Sequence, residues 1–120
     1  MKIVIVGAGG DIGRAACEEL GGRHDLIRTG RTSGDIQVDI ADPASVRGMY
    51  DRIGSVDAVV ATAGEVHFAP LAEQTASTLL RGLQQKTMGQ INLVLAGLTS
   101  LAEGGSFTLT SGVLDRDPIR

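Results

Sequence analysis

The chain carries a single cysteine, Cys17, so no disulfide can form within it. Cys17 falls inside a helical pattern, where a small buried packing residue is expected rather than a reactive thiol. The histidines His24 and His67 stand far apart, with no cysteine or carboxylate cluster at ligand spacing, so no metal site is expected. Basic residues are not in surplus: 11 Lys and Arg face 14 Asp and Glu, giving a net charge of −3 and a pI of about 5.2. That balance argues against a nucleic-acid partner. The apolar runs are far too short to span a bilayer, so no membrane partner is expected. No charged-then-apolar leader precedes the first strand pattern, from which a cytoplasmic address is expected. Repeats, low-complexity tracts and linker-like segments are also lacking. With 120 residues, 42% of them apolar and 21% charged, one folded domain over 1–120 is expected.

Glycine is what the chain has in quantity, 17 in all. Three of them, Gly7, Gly10 and Gly13, follow the apolar run Ile3-Val4-Ile5-Val6 directly. The run reads as a strand buried on both faces of a parallel sheet, and a helix begins near Ile12. In such a strand–loop–helix unit Gly7 permits a sharp turn, Gly10 leaves room for a pyrophosphate and Gly13 lets the helix pack closely. The amides of the helix's first turn, around Asp11 and Ile12, then face the phosphates with the positive helix end behind them. The competing reading is an ordinary strand-to-helix turn.

The remaining pattern alternates strands with helices. Ile12, Ala16 and Leu20 recur at helical spacing until Gly21-Gly22 ends the helix. A second strand is read at residues 25–29 and a third at residues 36–40. About six residues link them, too few for a helix, so a helix-free parallel crossover competes with a hairpin. Asp42-Pro43 opens a helix whose buried stripe is Val46, Met49, Tyr50 and Ile53, with Gly54 as its stop. Residues 56–61 read as strand four. A helical segment containing Leu79, Leu80 and Leu83 continues as a long helix with its own stripe, Met88, Ile91, Leu95 and Leu98. Gly104-Gly105 is read as its break, before a fifth strand over 106–110. This is an α/β, Rossmann-like, doubly wound parallel sheet of order 3-2-1-4-5, with a ligand beyond the strand ends where the order reverses.

These motifs resemble the short-chain dehydrogenase/reductase family over nearly all of the 120 residues, corresponding to about the first two-thirds of such a domain. The loop fits the Gly-x-x-Gly-x-x-Gly variant, and Ala61-Thr62-Ala63-Gly64 resembles the turn after strand four. The resemblance implies that Asp39 and Ile40 contact the adenine, with a strand-end carboxylate capping a turn as the plain alternative for Asp39, and that Ala63 and Gly64 line the cofactor. It also implies a catalytic serine at Ser111, hydrogen-bonded to a substrate carbonyl oxygen, with a turn residue before Gly112 as the plain alternative. Thr62 stands where the family has asparagine, and Lys86 stands at the helical asparagine, which makes Lys86 a candidate proton donor or a solvated lysine. The family's Tyr-x-x-x-Lys pair is absent: the one tyrosine, Tyr50, is followed four residues later by Gly54. The resemblance thus suggests a domain truncated after strand five. It further implies a homo-oligomer packed through the long helix, where Gly89 and Ala96-Gly97 leave flat patches, small residues that serve an ordinary monomer core equally well.

The cofactor reading is more specific. An NAD-preferring site uses an acid about 20 residues past the glycine loop, and residues 27–33 contain none. Arg31, with hydroxyls from Thr32 or Ser33, would instead meet a 2′-phosphate, so NADP(H) is expected over NAD(H), with a solvated loop arginine as the plain alternative. The same missing acid argues against a methyltransferase. The function expected is NADP(H)-dependent hydride transfer to or from a small carbonyl or alcohol substrate. The alternative is a non-catalytic dinucleotide-binding or redox-sensing module.

Overall fold

β1 (Lys2–Val6) lies at the centre of a parallel sheet, with β2 (Asp25–Gly30) on one side and β4 (Val56–Ala61) on the other. The computed structural model describes residues 1–64, 66 and 68–112, and shows the order β3-β2-β1-β4-β5. This is the Rossmann-like arrangement expected from the sequence. His67, read in the loop after β4, lies outside the described residues, as does the segment 113–120. Among the described residues no helix is long and apolar enough to cross a membrane, and no cluster could hold a metal.

Alternation along β1 builds two apolar layers. Val4 and Val6 face α2 (Pro43–Ile53) and a core completed by Met49, Tyr50, Val59 and Leu93. Ile3 and Ile5 face α1 (Asp11–Leu20), with Ala8 and Cys17. Cys17 is a buried free thiol, as expected. The α2 reading holds in detail. Asp42 caps the helix by accepting from the Ala44 amide at 3.0 Å, and Val46, Met49, Tyr50 and Ile53 are its buried residues. In α1 the inward residues are Gly13 and Cys17, whereas Ile12, read as part of the apolar stripe, is 61% exposed.

β3 is shorter than the sequence suggests, pairing only over Ile36–Gln37. Beyond it the hydrogen bonds of Asp39 go to the turn that leads into α2 and to the start of that helix rather than to β2. The Asp39 amide donates to Ser45 Oγ at 2.9 Å, and its Oδ1 accepts from the Ala41 amide at 3.1 Å. The link to β2 is a parallel crossover, not a hairpin. Ile36 pairs with Thr29 at the very end of β2, so the chain need not travel back a full strand. The Asp35 amide donates to the Arg28 carbonyl at 2.7 Å, and Asp35 Oδ2 accepts from the Arg28 amide at 2.9 Å.

α3 (Ala76–Gly82) runs through a π-helical segment (Leu83–Met88) into α4 (Gly89–Gly97). Here the sequence misplaces the faces. Met88, Ile91, Leu95 and Leu98 point outward, and the inward residues are Gly89, Gln90, Asn92, Leu93 and Gly97. Close packing explains the exchange. A Cβ on Gly89 would lie 2.7 Å from Ile40 Cδ1, and one on Gly97 would lie 2.5 Å from the Tyr50 hydroxyl. The flat patches therefore serve this chain's own core. The buried amide of Asn92 donates to the Ile40 carbonyl at 2.8 Å.

Gly104-Gly105 does not break this helix, which ends at Gly97. Both glycines fall within β5 (Leu101–Thr108), at a register shift where Val56 pairs with Leu101 but Ala58 pairs with Ser106. Gly104 takes φ +76° there, and a Cβ on Gly105 would lie 2.8 Å from the Asp57 carbonyl oxygen. A bulge needs such residues, which is why a glycine pair inside a strand read as punctuation.

Candidate functional site

The glycine loop is clamped between its neighbouring strands. The Gly7 and Ala8 amides both donate to the Thr29 carbonyl, at 2.9 and 3.1 Å. Gly7 adopts φ +87°, and a Cβ there would lie 2.8 Å from the Ala63 amide nitrogen. A Cβ on Gly13 would overlap the Gly7 carbonyl oxygen, so α1 can start this close to β1 only with glycine. At Gly10 the nearest atom to such a Cβ is 3.5 Å away, which leaves the surface above the loop open. The first bond of α1 runs from the Arg14 amide to the Gly10 carbonyl at 2.8 Å. Amides preceding it in a helix's first turn are available to an anion. Asp11 and Ile12 are exposed in that turn, and Asp11 is paired with Arg14 at 3.2 Å.

Beyond the ends of β1, β2 and β4 lies a cleft of about 430 Å³. It gathers six of the residues read as cofactor-binding: Gly7, Arg31, Asp39, Ile40, Ala63 and Gly64. Ser33 is not in its wall but sits against the loop, its Oγ 3.3 Å from where a Cβ on Gly9 would be. Thr32, read with Ser33 as a hydroxyl for the 2′-phosphate, also lines the cleft, as does Gln85, which was not read from the sequence. Arg31 Nη2 donates to Gln85 Oε1 at 2.8 Å. The glycine loop, an open helix start and a guanidinium at the cleft wall together fit a phosphorylated adenine dinucleotide.

Thr62, standing where the resembling family has asparagine, has a structural task. Its hydroxyl donates within reach of the Val6 and Gly7 carbonyls, at 2.8 and 3.2 Å, and so ties the loop after β4 to the glycine loop.

Lys86 and Ser111, the two residues read as catalytic, line one further cavity of about 490 Å³. Lys86 also adjoins the nucleotide cleft: a Cβ on Gly64 would lie 3.0 Å from Lys86 Cγ. Lys86 is half-buried, and among the described residues none pairs with its ammonium. Ser111 is held in place through its neighbour. The Gln90 side chain accepts from the Thr110 amide at 2.7 Å and donates to the Thr110 carbonyl at 3.0 Å. The Thr110 hydroxyl donates to the Ala61 carbonyl at 2.6 Å. Sequence reading missed Gln90 and Thr110, although a glutamine followed by the apolar run of α4 was the signal. Tyr50 is remote from this chemistry. It is buried in the core, its hydroxyl donates to the Leu93 carbonyl at 2.8 Å, and burial raises its pKa to about 12.

No family model matches the chain, and no curated protein matches it. Solved structures do. The protein lin1944 from Listeria innocua is 45% identical, with a TM-score of 0.96 over 98% of this chain and 59% of that one. A small-chain dehydrogenase in complex with NADPH is 26% identical, with a TM-score of 0.89 over 99% of this chain and 54% of that one. A short chain dehydrogenase from Burkholderia cenocepacia J2315 in complex with NADP is 26% identical, with a TM-score of 0.86 over 98% of this chain and 58% of that one. The chain thus spans 54% to 59% of the length of these proteins. Over that span it has the fold of the N-terminal portion of short-chain dehydrogenases/reductases.

Proposed function

We propose that this chain is the nucleotide-binding portion of an NADP(H)-dependent oxidoreductase of the short-chain dehydrogenase type, acting on a carbonyl or alcohol substrate. The observation that carries the reading is the continuity of the site. The cleft beside Gly7 and Arg31 leads past Gly64 to Lys86, and Lys86 shares a cavity with Ser111. The bound nicotinamide would supply hydride to the carbonyl carbon. Amides of the first turn of α1 would hold the diphosphate, and Arg31 with Ser33 or Thr32 would meet the 2′-phosphate. Asp39 and Ile40 would contact the adenine, and Ala63 and Gly64 would line the cofactor. Ser111 donates a hydrogen bond to the substrate oxygen, and the Lys86 ammonium gives that oxygen the proton it needs as charge develops on it. NADPH in the second structure and NADP in the third support the choice of cofactor. A homo-oligomer in which a second copy covers the outward apolar stripe of Met88, Ile91, Leu95 and Leu98 is part of the same proposal.

The test is NADPH consumption with a small ketone or aldehyde, compared with Ser111→Ala and Lys86→Met. Loss of a positioned proton donor lowers the rate by about 10²–10⁴-fold. A pH–rate profile unchanged in Lys86→Met removes Lys86 from the mechanism.

A further inference from the structure

Gly82 is the one glycine of the α3–α4 helical stretch with no packing reason to be there. Gly89 and Gly97 press against Ile40 and Tyr50, but a Cβ on Gly82 would meet nothing within 4 Å. Its backbone is ordinary right-handed helix, φ −60° and ψ −42°, which any residue adopts. A glycine there weakens the helix relative to alanine. The empty space beside it is part of a cavity of about 460 Å³ between the segment after β4 and the α3 helix. Val66, Leu79 and Leu83 give this cavity apolar walls, and Leu79 and Leu83, one helical turn apart, are each more than half exposed. Lys86 closes it, and Lys86 also lines the cavity that holds Ser111.

We infer that this cavity receives the apolar substituent of the carbonyl substrate. The substrate class is then ketones or aldehydes bearing a hydrocarbon chain of several carbons, rather than small polar carbonyls. The inference rests on the oxidoreductase reading for the position of the carbonyl group. An oxygen held between Ser111 and Lys86 leaves the substituent on the far side of Lys86, where the polar side chains among the described residues are Gln74, Thr78 and Thr87. A hydrocarbon there would cover Val66, Leu79 and Leu83. The absence of a side chain at Gly82 keeps the floor open for it.

The test is a series of methyl ketones from butanone to decanone, titrated calorimetrically into the NADPH-loaded protein and also offered as substrates. Each methylene should tighten binding about fourfold until the cavity is full. Gly82→Phe puts a ring into the cavity and should abolish these increments, and Leu79→Ser should reduce them. Unaltered NADPH binding and circular dichroism report that both variants are folded. Affinity independent of chain length, or increments that survive Gly82→Phe, overturns the assignment. Ketones that bind with the increments but are never reduced sink the oxidoreductase reading and leave the cavity assignment standing. Reduction without increments does the reverse.

Discussion

Arg31 Nη2 donates to Gln85 Oε1 at 2.8 Å, joining the loop after β2 to the π-helical segment 54 positions later. The bond crosses the wall of the nucleotide cleft and orients the guanidinium before any phosphate arrives. It also ties the loop after β2 to the residue preceding Lys86. A fork held this way loses less freedom on meeting a phosphate than a free surface arginine would.

Arg31→Ala should therefore weaken NADP(H) binding tenfold or more and leave NAD(H) nearly unchanged. A charge-assisted hydrogen bond contributes about 1.5–3 kcal/mol, which is the source of that factor. Gln85→Ala should cost less, because it loosens Arg31 without removing the charge. Titration of both nucleotides into both variants is the check, and equal losses for the two nucleotides in Arg31→Ala count against a 2′-phosphate site.

Gln90→Leu should damage turnover more than cofactor binding. Gln90 meets both backbone groups of Thr110, the residue before Ser111. Releasing them lets the Ser111 hydroxyl drift, and a misplacement of about 1 Å can cost about a hundredfold in rate. Steady-state kinetics alongside NADPH titration separates the two effects. A rate loss matched by an equal loss of NADPH affinity would mean the whole loop had collapsed instead.

Tyr50 gives the fold a defined alkaline limit. Its pKa rises from 10.0 to about 12 because burial disfavours the phenolate. Between those values the unfolded chain has lost the proton and the folded chain keeps it, so stability falls as pH rises through that window and is fully present below it. The loss is about 2–3 kcal/mol. Tyr50→Phe should cost about 1 kcal/mol at neutral pH, for the lost bond to the Leu93 carbonyl, and should remove this part of the pH dependence. Urea unfolding at neutral pH and in the alkaline window measures both.

Legibility in the sequence followed the kind of interaction involved. The Ile3–Val6 run, the Asp42-Pro43 cap and the α2 stripe were readable because each is fixed by neighbours a turn or less away. The faces of α4 were not, because its inward side is chosen by what it packs on. Gly89 and Gly97 are inward because Ile40 and Tyr50 stand there, and Asn92 because the Ile40 carbonyl needs a donor. Periodicity alone sends the apolar stripe inward. In the site, the glycine loop and Arg31 were visible as local chemistry, and Ser111 and Lys86 came only through resemblance. Gln85, Gln90 and Thr110 matter through contacts 20 to 54 positions away, which no local pattern encodes.

The central claim is that backbone amides at the start of α1 and the Arg31 guanidinium together hold a phosphorylated adenine dinucleotide. Calorimetric titration of the folded protein with NADPH and NADH addresses it most directly. The account predicts saturable heat with NADPH at an affinity at least tenfold above that for NADH. Absence of heat with both nucleotides, from protein whose circular dichroism shows it folded, would contradict it.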